Sequence, residues 1–444
     1  MESGIGPSGR VMKPGALRGA RGRALSARGA ARPESRMKFI HAADIHLDSP
    51  LAGLQARAEP LSEDLRRCTR QAFANLVDLA IEEDVAFVVI AGDLYDGDWK
   101  DFSTGLFFAA QMQRLGRPCF LLRGNHDAHS QITRRLKLPD NVSEFSSRRV
   151  ESFVRRDLGV ALHGQSFPDR EVPEDLSATY PDPVAGLLNI GVLHTSADDP
   201  GEHATYAPCT PERLRDKGYD YWALGHIHIR QVLHPGHPWI VFPGNLQGRH
   251  AKETGPKGCT LVTVEDGRIA RVEHRSLDVL RWAALEVDAT EAGEEELLDR
   301  VAAAVRAALA EAEERPLLAR LTLAGETALH ATLPDRMEEL VAHATGAAIE
   351  AGGRLWIEKV TLRTRAPARL AADTLEPLRR AFLDAATDRA VADPLREELE
   401  ALRHRLPSSV RGETDVPTDV AAFTRLADEA WDAVVAALAA ESAR

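Results

Sequence analysis

The chain has 444 residues, 44% apolar and 27% charged, which is enough for two or three domains with cores of their own. No run reaches the ~18 apolar residues of a membrane span and no stretch reads as the apolar core of a secretory leader, so neither a membrane nor a secreted protein is expected. A balance of 55 Lys/Arg against 67 Asp/Glu leaves −12, so bulk charge does not grip nucleic acid, and phosphate chemistry here needs metal ions or a local basic patch.

Residues 1–36 carry 8 Lys/Arg against 2 Asp/Glu, are rich in Gly, Ala, Arg and Ser, and show no apolar period. They are expected to be a disordered basic extension. Their composition has the look of an organellar transit peptide, but an over-long reading frame with Met37 opening the protein proper is the plainer account. From Met37 onward, short apolar runs end in polar residues. Lys38–Ala43 leads into Asp44, Ala86–Ala91 into Gly92-Asp93, and Cys119–Leu122 into Arg123–Asp127. Leu187–Leu193 leads into His194, and Tyr221–Leu224 into Gly225-His226. Such runs read as buried strands with functional side chains on the loops after them. Cys259–Val264 and Arg268–His274 flank Asp266-Gly267, a hairpin signal. Residues 37–279 therefore form the first domain, a layered α/β unit.

Residues 280–365 read as a small α+β domain. Trp282–Val287, Leu317–Leu323 and Leu355–Leu362 are strand-like, and Glu294–Ala312 and Arg336–Ile349 are helical. Residues 366–444 look helical, broken by Pro407–Pro417. Phe423, Leu426, Ala430, Val434 and Leu438, with Trp431 and Val435 beside them, make an apolar helical stripe that packs on its own domain or docks a partner. Cys68, Cys119, Cys209 and Cys259 lack CxxC spacing and are expected to be core thiols in a reducing compartment.

The chemistry lies in an ordered series: Asp44-x-His46, Gly92-Asp93-x-x-Asp96, Gly124-Asn125-His126-Asp127, His194, and Gly225-His226-x-His228. Each cluster follows a strand-like run, so folding one sheet edge brings all five together. Any one alone is common by chance; five in order are hard to explain as structural coincidence. Carboxylate, imidazole and amide oxygen form a mixed ligand set suited to Mn, Fe or Zn rather than calcium. Two ions ~3.5–4 Å apart need a bridging ligand, and Asp93, central in the series, is the natural carboxylate for it. A water between two such ions becomes a hydroxide nucleophile near neutral pH.

These motifs resemble the signature of the calcineurin-like metallophosphoesterase superfamily across about residues 37–250. The resemblance implies a four-layer fold, a double β-sandwich flanked by helices. It assigns one metal to Asp44, His46, Asp93 and His228, and the other to Asp93, Asn125, His194 and His226. His126 would stabilise the transition state or protonate the leaving oxygen, and Asp127 would orient His126. The segments FIHAADIHLDSPLAGL, AGDLYDGDW, LLRGNHDAHS and FPGNLQGRHAKETGPKGC are similar to the SbcD/YhaO-type DNA repair exonucleases, the YhaO branch most closely. That family implies a 3′→5′ DNA exonuclease using two Mn ions, with residues 280–365 as a capping, DNA-binding domain. It also implies a coiled-coil, SMC-like ATPase partner of the SbcC/YhaN type, DNA ends of single or double strand as substrate, a homodimer, and a cytoplasmic, nucleoid-associated location. The metal motifs alone also admit a phosphatase or small-molecule phosphodiesterase. A non-catalytic scaffold would show lost ligands, and none is lost.

Among the remaining residues, Arg249 and His250 follow the Pro243-Gly244-Asn245 turn and are candidates for contacting a substrate phosphate. Arg123 could do likewise or form an internal ion pair. Asp48 could hold His46 in its tautomer or cap the following helix. Asp96 reads as a partner of the ligands or a loop anchor, and His41 and His163 as structural.

Overall fold

The computed structural model describes residues 36–49, 59–96, 102–129, 137–197, 206–367 and 372–387, with short groups between 393 and 435. The basic extension before Arg36, the Pro407–Pro417 break, Phe423 and Leu438 lie outside the described residues.

In β1 (Arg36–Ala42) and β2 (Phe87–Ala91), both faces are buried because alternate residues enter different apolar clusters. Phe39, Phe87 and Val89 face one way, while Ile40, Val88 and Ile90 face the other. Parallel pairing extends from β1 through β2 to β3 (Cys119–Leu122) and β4 (Val142–Glu144). On the other side β1 pairs antiparallel with β11 (Gly258–Glu265), which pairs with β12 (Arg268–Ser276). The β11–β12 turn places both Asp266 and Gly267 at positive φ, as the Asp-Gly signal requires.

A second six-stranded sheet runs in the order β5-β6-β7-β8-β10-β9, comprising Glu151–Arg155, Val160–Gly164, Leu188–His194, Tyr221–Gly225, Trp239–Phe242 and Gln231–His234. Phe39, Phe87 and Phe120 of the first sheet interlock with Leu162, Ile190, Val192 and Tyr221 of the second. The outer face of the first sheet is covered by α1 (Glu59–Glu82) and α2 (Phe102–Leu115) through Phe73, Leu76, Phe108 and Met112. Leu214, on α3 (Pro211–Asp216), and Tyr219, just after it, join Trp222 and Phe242 outside the second sheet. The double β-sandwich flanked by helices is therefore present.

Residues 281–365 form a third sheet. β13 (Arg281–Asp288), α4 (Glu294–Glu311), β14 (Leu317–Glu326), α5 (Met337–Glu350) and β15 (Leu355–Arg365) follow one another, and all three strands pair in parallel. Leu285, Val301, Leu321, Leu340 and Ala344 belong to its own apolar cluster. A smaller cluster of Cys68, Leu280, Trp282 and Leu318 joins α1 to this sheet. In α6 (Ala372–Thr387), the Phe382 ring lies 5.6 Å from Trp431, which is buried, while Leu426 and Val434 are exposed. One side of the C-terminal stripe thus packs on the chain itself. All four cysteines are buried thiols, and among the described residues no helix is long and apolar enough to cross a membrane.

Candidate metal centre

The loops after β1, β2, β3, β7 and β8 converge at one edge of the sandwich, and backbone bonds continue past the strand ends to hold them. Asp44 N donates to Gly92 O at 3.0 Å, His46 N to Asp93 O at 3.0 Å, and Leu47 N to Leu94 O at 2.9 Å. This edge is sterically costly. Asp44, His46, Asp48, Asp93 and His226 have φ of 51°, 45°, 60°, 53° and 103°, in the left-handed region that side chains disfavour. Five such residues around one point are the mark of a site whose geometry is over-determined by its surroundings. Gly124 is needed for space, because a Cβ there would run into Asp93 Oδ1 and the His194 ring.

Asp93 is central. Its Oδ2 lies 3.5 Å from His194 Nε2 and 3.7 Å from His46 Nε2, while Oδ1 accepts the His126 backbone N–H at 3.0 Å. His46 Nε2 is 3.3 Å from His228 Nε2, and Asp44 accepts the His226 N–H with both oxygens at 3.1 and 3.0 Å. His194 sends Nδ1 to the Ala91 carbonyl at 3.0 Å and turns Nε2 to Asn125 Oδ1 at 2.9 Å. Two groups, Asp44–His46–His228 and Asp44–Asp93–His194, have ligand atoms within 4.8 Å of one another. The ring of His226 stands beside them, 5.2 Å from the His194 ring and 4.9 Å from Tyr206. His46, Asp96 and His126 form a third such group.

The donor chemistry fits divalent cations. His194 Nδ1 must donate to a carbonyl, which leaves a lone pair on Nε2 facing Asn125 Oδ1 and Asp93 Oδ2, all acceptors. Acceptors converging without a proton between them repel unless they share a cation or one is protonated. Without a cation the protein answers by protonation: burial pulls His194 down, but Asp93 more than offsets this and carries it up to about 9. Burial pushes Asp44 up to about 6 and pulls His46 well below and His226 down to about 3. Asp93 stays well below the carboxylate range, because the surrounding imidazoles outweigh its burial.

The structure corrects several of the expected roles. His126 is held by Asp96, not by Asp127: Nδ1 lies 3.0 Å from Asp96 Oδ1. Asp127 instead accepts the backbone N–H groups of Tyr95, Leu94 and Gly124 at 2.8, 3.1 and 3.2 Å, pinning the β2 loop to the β3 loop. Burial raises its carboxyl to about 7. Among the described residues Asp48 bonds to neither His46 nor the backbone of a helix N-terminus; it accepts Arg70 Nε at 2.7 Å and the Thr104 hydroxyl, tying the β1 loop to α1 and α2. Arg123 pairs with Glu144. His250 turns its ring back to accept Lys252 N at 3.1 Å, within its own loop. Arg249 does reach the site, donating from Nη1 to Ser49 Oγ at 2.8 Å and lying 3.4 Å from Asp96 Oδ2. His41 and His163 are structural, bonded to Tyr221 and Leu224 and to Ser152 and Asn189 respectively.

Sequence reasoning passed over Glu253. Its Oε1 lies 2.6 Å from His228 Nδ1, and its Oε2 accepts Arg249 N at 2.6 Å and Asn245 Nδ2 at 2.9 Å. The signal available was its place inside the PGNLQGRHAKETG segment, already set apart by resemblance.

Residues 37–230 match the calcineurin-like phosphoesterase family, and residues 282–365 match the middle domain of metallophosphoesterase YhaO. An uncharacterized metallophosphoesterase YhaO of Bacillus subtilis is 39% identical over 262 residues, which cover 58% of this chain and 64% of that protein. The DNA double-strand break repair protein Mre11 of Haloferax volcanii is 28% identical over 272 residues, 60% of this chain and 58% of the relative. The matches thus span a little under two thirds of these relatives' length. A dimetal phosphatase from Danio rerio aligns with 55% of this chain and 98% of its own at 13% identity and a TM-score of 0.33, too loose a likeness to carry an inference. Residues 37–230, with their five motifs gathered at one sheet edge, are a calcineurin-like metallophosphoesterase domain, followed at 282–365 by a YhaO middle domain.

Proposed function

We propose that the chain is a two-metal DNA nuclease that removes nucleotides from DNA ends in the 3′→5′ direction, with Mn as working ion and a coiled-coil ATPase of the SbcC/YhaN type as partner. The observation that carries this reading is the Asp93 carboxylate set between His46 and His194, one imidazole from each side of the centre. Asp44, His46, Asp93 and His228 would hold one ion, and Asp93, Asn125, His194 and His226 the other. Two divalent ions there would neutralise the phosphate and activate the attacking water.

The chain's own residues supply the rest. Burial lowers His126, but its bond to Asp96 together with the charges of Asp93 and Asp96 outweighs this and raises it above the ordinary histidine value, which favours the protonated ring as the donor at Nε2 to the departing oxygen. Asp96, held to about 2 by its contacts with His126, Ser49 and Arg249 against its burial, keeps the charge that holds that imidazolium. Arg249 brings a mostly buried guanidinium, 16% exposed, to the same place and would contact a phosphate oxygen. The choice of DNA over a small phosphodiester is supported by the relatives named for double-strand break repair and by the third sheet, whose Trp282 Nε1 donates to Gly248 O beside Arg249.

The test is digestion of end-labelled single- and double-stranded DNA with Mn, Mg or EDTA, beside Asp93→Asn. Mn-dependent shortening from the 3′ end, reduced at least ~10³-fold in the variant, is the expected result. Intact DNA in both the absence and presence of the ATPase, with brisk hydrolysis of bis(p-nitrophenyl) phosphate, would overturn the nuclease reading in favour of a small-substrate enzyme.

A further inference from the structure

Glu253 lies on the loop between β10 and β11 and belongs to none of the five motifs. Its two carboxylate oxygens are divided between different tasks. Oε2 accepts Arg249 N and Asn245 Nδ2, both obligate donors, while Oε1 faces His228 Nδ1 at 2.6 Å. A carboxylate held by two N–H groups on one oxygen can only accept on the other, so the His228 proton must sit on Nδ1. Nε2 then carries its lone pair toward His46 and the centre. The loop is itself braced from the third sheet: Gln247 Nε2 donates to Leu280 O at 2.8 Å, and Val279 N donates to Gln247 Oε1 at 2.9 Å.

We infer that Glu253 is a positioning residue that fixes the Nδ1–H tautomer of His228 and, through the same side chain, the placement of Arg249. One carboxylate thereby sets a metal ligand and a phosphate-contacting residue together. The inference rests on the reading of His228 as a ligand. Partners of this kind typically govern metal affinity by 10–100-fold.

Glu253→Gln tests it without changing side-chain volume. Three donors face the two oxygens of Glu253, and a glutamine has one oxygen. With that oxygen kept by Arg249 N and Asn245, the new amide NH2 faces His228 Nδ1 and forces its proton to Nε2. Ring-15N shifts of histidine-labelled, metal-free protein report the tautomer, and Mn titration calorimetry reports the ions. The expected result is an Nδ1–H His228 in the parent chain, an Nε2–H His228 in the variant, and a ~10–100-fold loss of affinity at one of two sites with an unchanged melting temperature. Glu253→Ala should lose the tautomer preference and the same affinity, and covers the case in which the glutamine variant does not fold. An unchanged His228 tautomer in the variants, or two sites of parental affinity, would overturn the inference. A parent chain that binds no divalent ion would overturn the two-metal reading instead, and the tautomer measurement would still decide the role of Glu253.

Discussion

The edge of the sandwich and the parallel sheet behind it bury polar groups in opposite ways. At the edge, Asp44, His46, Asp93, Asn125 and His194 are almost wholly buried, several on strained backbone and with acceptors facing one another. In the 281–365 sheet the buried residues are nearly all apolar, and the buried Arg281 is neutralised by Asp278 at 3.0 Å. The first region gives up local stability to gather ligands; the second is an ordinary parallel α/β core. The two meet at Trp282, which packs with Cys68 of α1 and bonds to Gly248 O on the loop that carries Arg249 and Glu253. The chemistry therefore stands on a brace that takes no part in it.

Removing that brace should give the largest effect. Trp282→Ala is expected to cost ~3–5 kcal/mol, measured as a shift of the denaturation midpoint. A loss below ~1 kcal/mol would mean that the two regions stand independently. Next comes the division of labour within the edge. His126→Gln should retain metal content while lowering turnover ~10²-fold or more, and Asp96→Asn should reproduce part of that loss, since Asp96 holds the imidazole. Metal loss in His126→Gln equal to that in Asp93→Asn would collapse the distinction. The smallest effect belongs to the sandwich surface away from the site, at Glu83. Its hydrogen bond with Lys38, with Arg275 adding charge, holds its carboxyl below the ordinary 4.5. That stabilisation is present above this value and fades as pH falls through the depressed pKa, so Glu83→Gln should cost at most ~1 kcal/mol at pH 7 and nothing in acid, read by melting temperature against pH.

Much of the sandwich was legible because its inner strands are short apolar runs ending abruptly in polar clusters. Cys119–Leu122 and Tyr221–Leu224 show this within a residue of their observed ends. The edge strands were not legible. Glu151–Arg155 and Gln231–His234 are short, partly exposed and mixed in polarity, so neither period nor run length marks them. The parallel pairing of 281–365 was likewise hidden, since strand and helix periods do not encode which edges meet.

The amino-acid order alone determined that aspartates, histidines and an asparagine would stand at successive strand ends, because parallel strands present their carboxyl-terminal loops to one edge. Which neighbour each side chain would hold was decided only by tertiary structure. His126 has an aspartate next to it in sequence but takes Asp96, 30 residues away, because Asp127 is spent on three backbone N–H groups. His228 finds Glu253 across 25 residues, through a loop that the third sheet holds in place. Hydrogen bonds at 3 Å depend on where loops pack, and spacing along the chain carries no record of that.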